Sequence, residues 1–352
     1  MIDSALQRRG GLSAAALLLS AALAACGGSS PEAGDDGSAG TFTNPVLETD
    51  YADPHVVRDG DTYYAYSTGA AGFSNIQVAT SDDLVEWSAP EDALPERPDW
   101  QPVQQGLTWA PEVIEVDGRW LMYYVARETA SGRQCLALAT ADDPAGPFED
   151  TSSAPFVCQR ELGGSIDAFA LTDTDGRRYL YWKNDGNAIG EDTVMWVQPL
   201  SADGTRVEGK PVDTGLRQTK PWQGALVEAP TVVLHEGTYV LFYSANDYGS
   251  DAYAMGYATA TSATGPYTDR SDEPWVASEG DATGPGGQAV IDVDGELWMI
   301  YHAWQAGEEG YGGGGRRAMW LDRLTWEPGT APGEAVPLLE GPTGEPQPRP
   351  LD

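Results

Sequence analysis

Trp109-Ala-Pro-Glu-Val-Ile-Glu-Val-Asp-Gly118, followed by Arg119-Trp-Leu-Met-Tyr-Tyr-Val125, is the stretch from which the fold can be read. An apolar run enters an acidic-Gly turn and leaves it as an aromatic-rich run, the signature of a β-hairpin. The same phrase returns at Asp53-Pro-His-Val-Val-Arg-Asp-Gly60, Asp167-Ala-Phe-Ala-Leu-Thr-Asp-Thr-Asp-Gly176, Glu228-Ala-Pro-Thr-Val-Val-Leu-His-Glu-Gly237 and Gln288-Ala-Val-Ile-Asp-Val-Asp-Gly295. The turn glycines lie 58, 58, 61 and 58 residues apart. Such regularity marks a radial repeat.

Each copy continues with a third run, as in Ile76-Gln-Val-Ala-Thr-Ser81, Leu136-Ala-Leu-Ala-Thr-Ala141 and Met255-Gly-Tyr-Ala-Thr-Ala260. An outer segment follows, such as Val85-Glu-Trp-Ser88, Gly146-Pro-Phe-Glu149 or Gly265-Pro-Tyr-Thr268. Helical periodicity is nearly absent. Four strands per repeat, five times over, predict an all-β chain folded as a five-bladed β-propeller over residues 41–345, with four antiparallel strands per blade. Tyr64, Tyr124, Trp182, Tyr243 and Trp298 fall in strands and are expected to pack between blades. The Pro/Gly-rich stretch from Pro328 is expected along the outside, with 346–352 as a tail.

The first 26 residues read as a secretory leader: Arg8 and Arg9, then an apolar run from Leu12 to Leu23, then small residues before Cys26. The placement of Cys26 resembles the lipobox of bacterial lipoproteins, which implies a lipid on that cysteine and an extracytoplasmic chain anchored to the membrane, or secreted. Residues 27–40 are Gly/Ser/Asp-rich and read as a flexible tether. Membrane contact is expected only through the lipid anchor. The formal charge of −34 repels phosphate backbones, so nucleic acid is excluded as a partner, and a polyanionic sugar is disfavoured. Cys135 and Cys158, in an oxidising compartment, are expected to form a disulfide within the second repeat. The protein is expected to be a monomer.

Three of the five phrases open on a carboxylate: Asp53, Asp167 and Glu228. In a propeller the equivalent ends of the innermost strands converge on one axis. Residues more than a hundred positions apart therefore meet at one mouth. Hydrolysis of a glycosidic bond with inversion needs a base for water and an acid for the leaving oxygen. A third carboxylate raises the acid's pKa by like-charge repulsion. The trio supplies all three roles without a cofactor.

The blade motifs Tyr51-Ala-Asp-Pro-His55, Leu107-Thr-Trp-Ala-Pro-Glu112, Gly164-Ser-Ile-Asp167, Val227-Glu-Ala-Pro230 and Gly284-Pro-Gly-Gly-Gln-Ala-Val290 resemble those of glycoside hydrolase family 43, over about residues 41–345. The resemblance implies five-bladed propellers that cleave arabinans, arabinoxylans and xylo-oligosaccharides by inversion. It implies Asp53 as general base, Glu228 as general acid and Asp167 as pKa modulator. It points to an exo-acting α-L-arabinofuranosidase on plant cell-wall oligosaccharide or polysaccharide. Endo-arabinanase, β-xylosidase and a non-catalytic carbohydrate-binding propeller are the alternatives. Gly287 departs from the family pattern, where many relatives have a histidine.

Among the remaining residues, Trp109 takes an entrance position and is expected as a sugar-stacking platform, with Phe169 and Trp222 as weaker candidates. Arg317 is expected to reach substrate hydroxyls. His302 matches the family's axial histidine, set beside a structural calcium and its waters; a hydrogen-bonded core histidine is the other reading. Glu112 and Asp59 are read as solvated turn or strand-edge groups. Gly312 to Gly315 lacks the Lys-Ser/Thr and the helix of a phosphate loop and reads as a loop at the mouth.

Overall fold

The computed structural model describes residues 40–70, 72–102, 107–329 and 335–351. The segment read as a leader, with Cys26, and the segment read as a tether, up to residue 39, lie outside the described residues.

Five antiparallel sheets follow one another in chain order, each from consecutive strands. Blade 1 runs His55–Asp59, Thr62–Thr68, Ile76–Ser81 and Glu91–Asp92. Blade 2 runs Thr108–Val116, Arg119–Arg127 and Gln134–Ala141, with its outer position held by a bridge between Thr140 and Glu149. Blade 3 runs Ser165–Thr172, Arg178–Asn184, Val194–Leu200 and Val212–Arg217. Blade 4 runs Val227–His235, Thr238–Ala245, Ala254–Ala260 and Thr268–Asp269. Blade 5 runs Ala282–Val293, Glu296–Gln305, Arg317–Pro328 and Ala335–Leu339. The expected propeller is the fold. The stretch beyond Pro328 is not merely laid on the outside, because Ala335–Leu339 pairs with Leu324–Pro328 as the fourth strand of blade 5.

The turns follow the residues in them. Asp117-Gly118, Glu236-Gly237 and Asp294-Gly295 each place two successive residues at positive φ, as a two-residue hairpin turn of the primed type requires. Blade 1 turns instead on Gly60-Asp61, between paired Asp59 and Thr62, and blade 3 on the longer 173–177 loop.

The apolar core divides into five clusters, one at each blade interface. Trp298 and Tyr63 meet between blades 5 and 1, Tyr66 and Tyr124 between 1 and 2, and Trp182 with Tyr123 between 2 and 3. Tyr181 and Tyr243 fill the space between 3 and 4, and Phe242 and Tyr301 that between 4 and 5. Alternation puts one face of each sheet against each neighbour, so apolar residues on both faces are buried.

Both ends of the described chain are stitched to blade 5. Thr41–Phe42 pairs with Gln347–Pro348, within the segment expected as a tail. The Asn44 side chain donates to Leu321 O and to Asp322, and its Oδ1 accepts from Leu321 N–H. Cys135 and Cys158 are bonded, tying the third strand of blade 2 to the segment that leads into blade 3.

Candidate active site

Every blade enters its innermost strand through one residue in the left-handed region: Asp53 (φ 52°), Ala110 (φ 40°), Asp167 (φ 58°), Ala229 (φ 52°) and Gly287 (φ 60°). Such a backbone is costly for any residue but glycine and least so for Asp or Asn. Its repetition five times makes it an architectural bend at the mouth. Together with the next two residues of each strand, these positions line a small axial cavity of about 40 Å³. Asp53 and Asp167 therefore occupy equivalent positions in blades 1 and 3. Glu228 stands one residue earlier, in register with Trp109 of blade 2.

Above the axis lies a cleft of about 1030 Å³ with residues of all five blades in its wall, including Asp53, Trp109, Asp167, Glu228 and Arg317. The three carboxylates thus face one space. Asp53 Oδ2 accepts from Thr68 Oγ1 at 2.5 Å, and the same Thr68 oxygen accepts from Ala110 N–H at 3.0 Å, fixing blade 1 to blade 2. The Asp53 N–H donates to His302 Nδ1 at 3.0 Å, and Arg317 Nη1 lies 3.6 Å from Asp53 Oδ1.

Both oxygens of Glu228 are held. Lys183 Nζ donates to Oε2 at 2.8 Å and Tyr253 OH to Oε1 at 2.7 Å. Asp167 Oδ2 accepts from the Ala229 N–H at 3.1 Å. Burial pushes the Asp167 carboxyl up to about 8; repulsion from Glu228 and Asp53 adds to it, and Lys183 opposes it. One proton is therefore retained among these carboxyl groups at neutral pH.

Arg317 is buried, with its guanidinium 5.0, 5.9 and 5.4 Å from the ring centres of Tyr248, Trp304 and Tyr311. Its Nε and Nη2 both donate to Tyr311 OH. The loop at Gly312 to Gly315 carries this tyrosine in a short 3-10 turn, Tyr311–Gly313. Three aromatic walls lock the guanidinium in one orientation, one nitrogen toward Asp53.

Two expected sugar contacts lie elsewhere. Phe169 borders the axial cavity and packs near Tyr181, outside the cleft wall. Trp222 stacks on Tyr243 with ring centres 6.0 Å apart, and its indole N–H donates to Ser271 O. Trp222 is a packing residue of blade 4.

His302 does not suit direct ligation of calcium. Its Nδ1 accepts the Asp53 N–H, which leaves the proton on Nε2, and a protonated nitrogen is no metal ligand. Burial, then Arg317, holds its pKa well below the usual histidine range, so the ring is neutral. Among the described residues no cluster of three acidic, histidine or cysteine ligand atoms lies on the axis. The Nε2 of His302 is buried and meets no acceptor among the described residues, and a β-carbon at Gly287 would fall 2.5 Å from its ring. Glycine at 287 is what lets this imidazole sit beneath Asp53.

Glu112, read from sequence as a solvated group, is buried. Its Oε2 pairs with His55 Nδ1 at 2.8 Å and its Oε1 accepts from Ala170 N–H, while His55 Nε2 reaches Val113 O at 2.9 Å. The pair braces blades 1, 2 and 3 below the mouth. Lys183 and Tyr253 also escaped the sequence reading. The one available signal was a lysine interrupting the buried run Tyr179-Leu-Tyr-Trp182.

Residues 42–332 match the sequence profile of Glycosyl hydrolases family 43. The chain belongs to glycoside hydrolase family 43. The crystal structure of a thermostable family-43 glycoside hydrolase superposes with a TM-score of 0.77 at 33% identity, covering 89% of this chain and 100% of that one. A beta-D-galactofuranosidase, xynD of Aspergillus niger, is 27% identical over 74% of this chain and 75% of its own length. An extracellular endo-alpha-(1->5)-L-arabinanase of Bacillus subtilis is 24% identical over 73% of this chain and 81% of its own. This family 43 protein is accordingly a glycosidase.

Proposed function

We propose that the protein is an inverting, exo-acting α-L-arabinofuranosidase on arabinan or arabinoxylan fragments. The observation that carries this reading is the convergence of Asp53, Asp167 and Glu228 on one cleft walled from all five blades. The exo-acting preference rests on relatives named as extracellular exo-alpha-(1->5)-L-arabinofuranosidases. The furanoside preference rests on relatives named for arabinan and for galactofuranosides. A β-D-galactofuranoside is therefore the second substrate to test.

In this mechanism Asp53 takes a proton from water as the water attacks the anomeric carbon. Thr68 and Arg317 hold the Asp53 carboxylate toward the cleft. Glu228 gives its proton to the departing oxygen, and Asp167 tunes it by charge. Trp109 offers an aromatic face to the sugar and Arg317 a charged donor to its hydroxyls. Lipid attachment at Cys26 would hold the enzyme outside the cell, in keeping with relatives that are named extracellular.

The test is a panel of aryl α-L-arabinofuranoside, β-D-galactofuranoside and β-D-xyloside with linear and branched arabinan. The reading expects the arabinofuranoside to show the highest kcat/KM and free arabinose as the first polymer product. Release of oligosaccharides first, or preference for the xyloside, overturns it.

A further inference from the structure

Asp185 follows the second strand of blade 3, is 7% exposed, and lines the cleft beside Ile166, Asn187 and Ala188. It opens the short 3-10 turn Gly186–Ile189, where an aspartate side chain ordinarily caps the first N–H groups, yet it makes no capping bond. The nearest cation, Lys183 Nζ, stands 3.9 Å from its Oδ1, too far for a hydrogen bond, and donates instead to Glu228 Oε2 at 2.8 Å. Among the described residues no donor satisfies this carboxylate. We propose that Asp185 is a specificity-determining residue on the leaving side of the cleft, where its carboxylate accepts the neighbouring ring hydroxyls of the sugar that departs. The proposal deepens the glycosidase reading and rests on Glu228 as the acid.

The backbone around Asp185 is pinned. Its N–H donates to Gly164 O at 3.3 Å, and the chain at Gly163 passes so close that a β-carbon there would fall 2.0 Å from Asp185 O. The preceding Asn184 is saturated: its Nδ2 donates to Leu162 O and Asp192 O, and its Oδ1 accepts from Val194 N–H and Trp196 Nε1–H. Asn184 holds the loop, while Asp185, one residue on, is held rigid and left without a donor. Burying an unbonded carboxylate is costly. Burial pushes its carboxyl up; Lys183 and Arg133 oppose this and Glu228 adds to it. Hydroxyl donors from a ligand would offset that cost.

The placement fits the departing sugar. An inverting displacement puts the attacking water and the leaving oxygen on opposite faces of the anomeric carbon. Asp53, with Arg317, serves the water from blades 1 and 5, and Glu228 serves the leaving oxygen from blade 4. The leaving sugar therefore rests on the Glu228 side, where Asp185 shares the Lys183 ammonium with that acid. A furanose joined through its primary hydroxyl keeps two neighbouring ring hydroxyls free, and a carboxylate can accept both.

The test compares two substrates with one glycone. In α-1,5-L-arabinobiose the leaving group carries the hydroxyl pair; in methyl α-L-arabinofuranoside it depends on the acid as much but carries none. Asp185→Ala is expected to lower kcat/KM on the disaccharide by about 10–100-fold. Activity on the methyl glycoside, its pH profile and thermal unfolding should stay near wild type. Asp185→Asn, which keeps one acceptor oxygen, is expected to lose less, and it carries the comparison should Asp185→Ala fail to fold. Equal losses on both substrates would place Asp185 in the acid's machinery and overturn the proposal, as would an undiminished rate on the disaccharide. If another glycoside proves the better substrate, the disaccharide and methyl glycoside of that sugar take their places. Wild-type protein inactive on every glycoside would sink the glycosidase reading, and calorimetry then decides this one. The disaccharide must bind more tightly than the methyl glycoside and lose that advantage in Asp185→Ala; no such advantage overturns the proposal.

Discussion

Asp322 is buried and Asp167 half-buried, and desolvation pushes their carboxyl groups up to about 7 and about 8, yet they sit in opposite surroundings. Asp322, in the third strand of blade 5, accepts from Tyr301 OH at 2.5 Å, Gln347 Nε2 at 3.0 Å and Asn44 Nδ2 at 3.2 Å. Those donors come from blade 5 and from both ends of the described chain. Asp167 faces two further carboxylates and accepts one backbone N–H. A buried acid surrounded by donors closes the ring as a staple. A half-buried acid surrounded by acids, with a cleft in front, is chemically poised.

The largest effect expected from that contrast separates activity from stability. Asp53→Asn and Glu228→Gln should each lower kcat/KM by about 10²–10⁴-fold on polymer fragments with unchanged thermal unfolding. Asp322→Ala should do the reverse: kcat/KM at 25 °C stays near wild type, while Tm falls by about 5–10 °C because Tyr301 OH loses its acceptor and Asn44 and Gln347 each lose one of theirs. Calorimetry beside steady-state kinetics reads both. An Asp322→Ala enzyme that is stable but inactive would erase the distinction.

A smaller effect concerns the His55–Glu112 brace below the mouth. Both ring nitrogens of His55 lie within hydrogen-bond distance of acceptors, so it holds a proton on each. Its pKa is raised; burial opposes the rise, and Glu112 and Val113 O more than offset it. A raised folded value means that the stabilisation is complete below the unfolded value of about 6.5 and is lost as pH climbs through the folded one. The Tm advantage of wild type over His55→Gln should therefore be about 2–4 °C at pH 6 and shrink by pH 9. A gap that widens with pH would show that His55 is neutral in the fold.

The sequence made the blades legible because each one repeats the same hairpin chemistry, and the carboxylates legible because they stand at the repeated entrance. It hid what has no periodic position. Lys183 and Tyr253 grip Glu228 from a second strand and from a loop. Glu112 faces the axis only because a left-handed residue, Ala110, turns the strand just before it. Trp222 stood near a catalytic segment, but sequence distance does not say which way an indole points, and this one lies on Tyr243. Ala335–Leu339 was hidden by its composition; Pro337 is tolerated there because the strand is an edge.

The central claim is that water, activated by Asp53, attacks a sugar whose leaving oxygen is protonated by Glu228. The most direct measurement is the anomer of the first product, followed by 1H NMR in the first minutes of hydrolysis of an aryl α-L-arabinofuranoside, before mutarotation. Single displacement by water predicts β-L-arabinofuranose as the initial product. Initial release of the α anomer, or a glycosyl adduct trapped on Asp53 or Glu228, would contradict it.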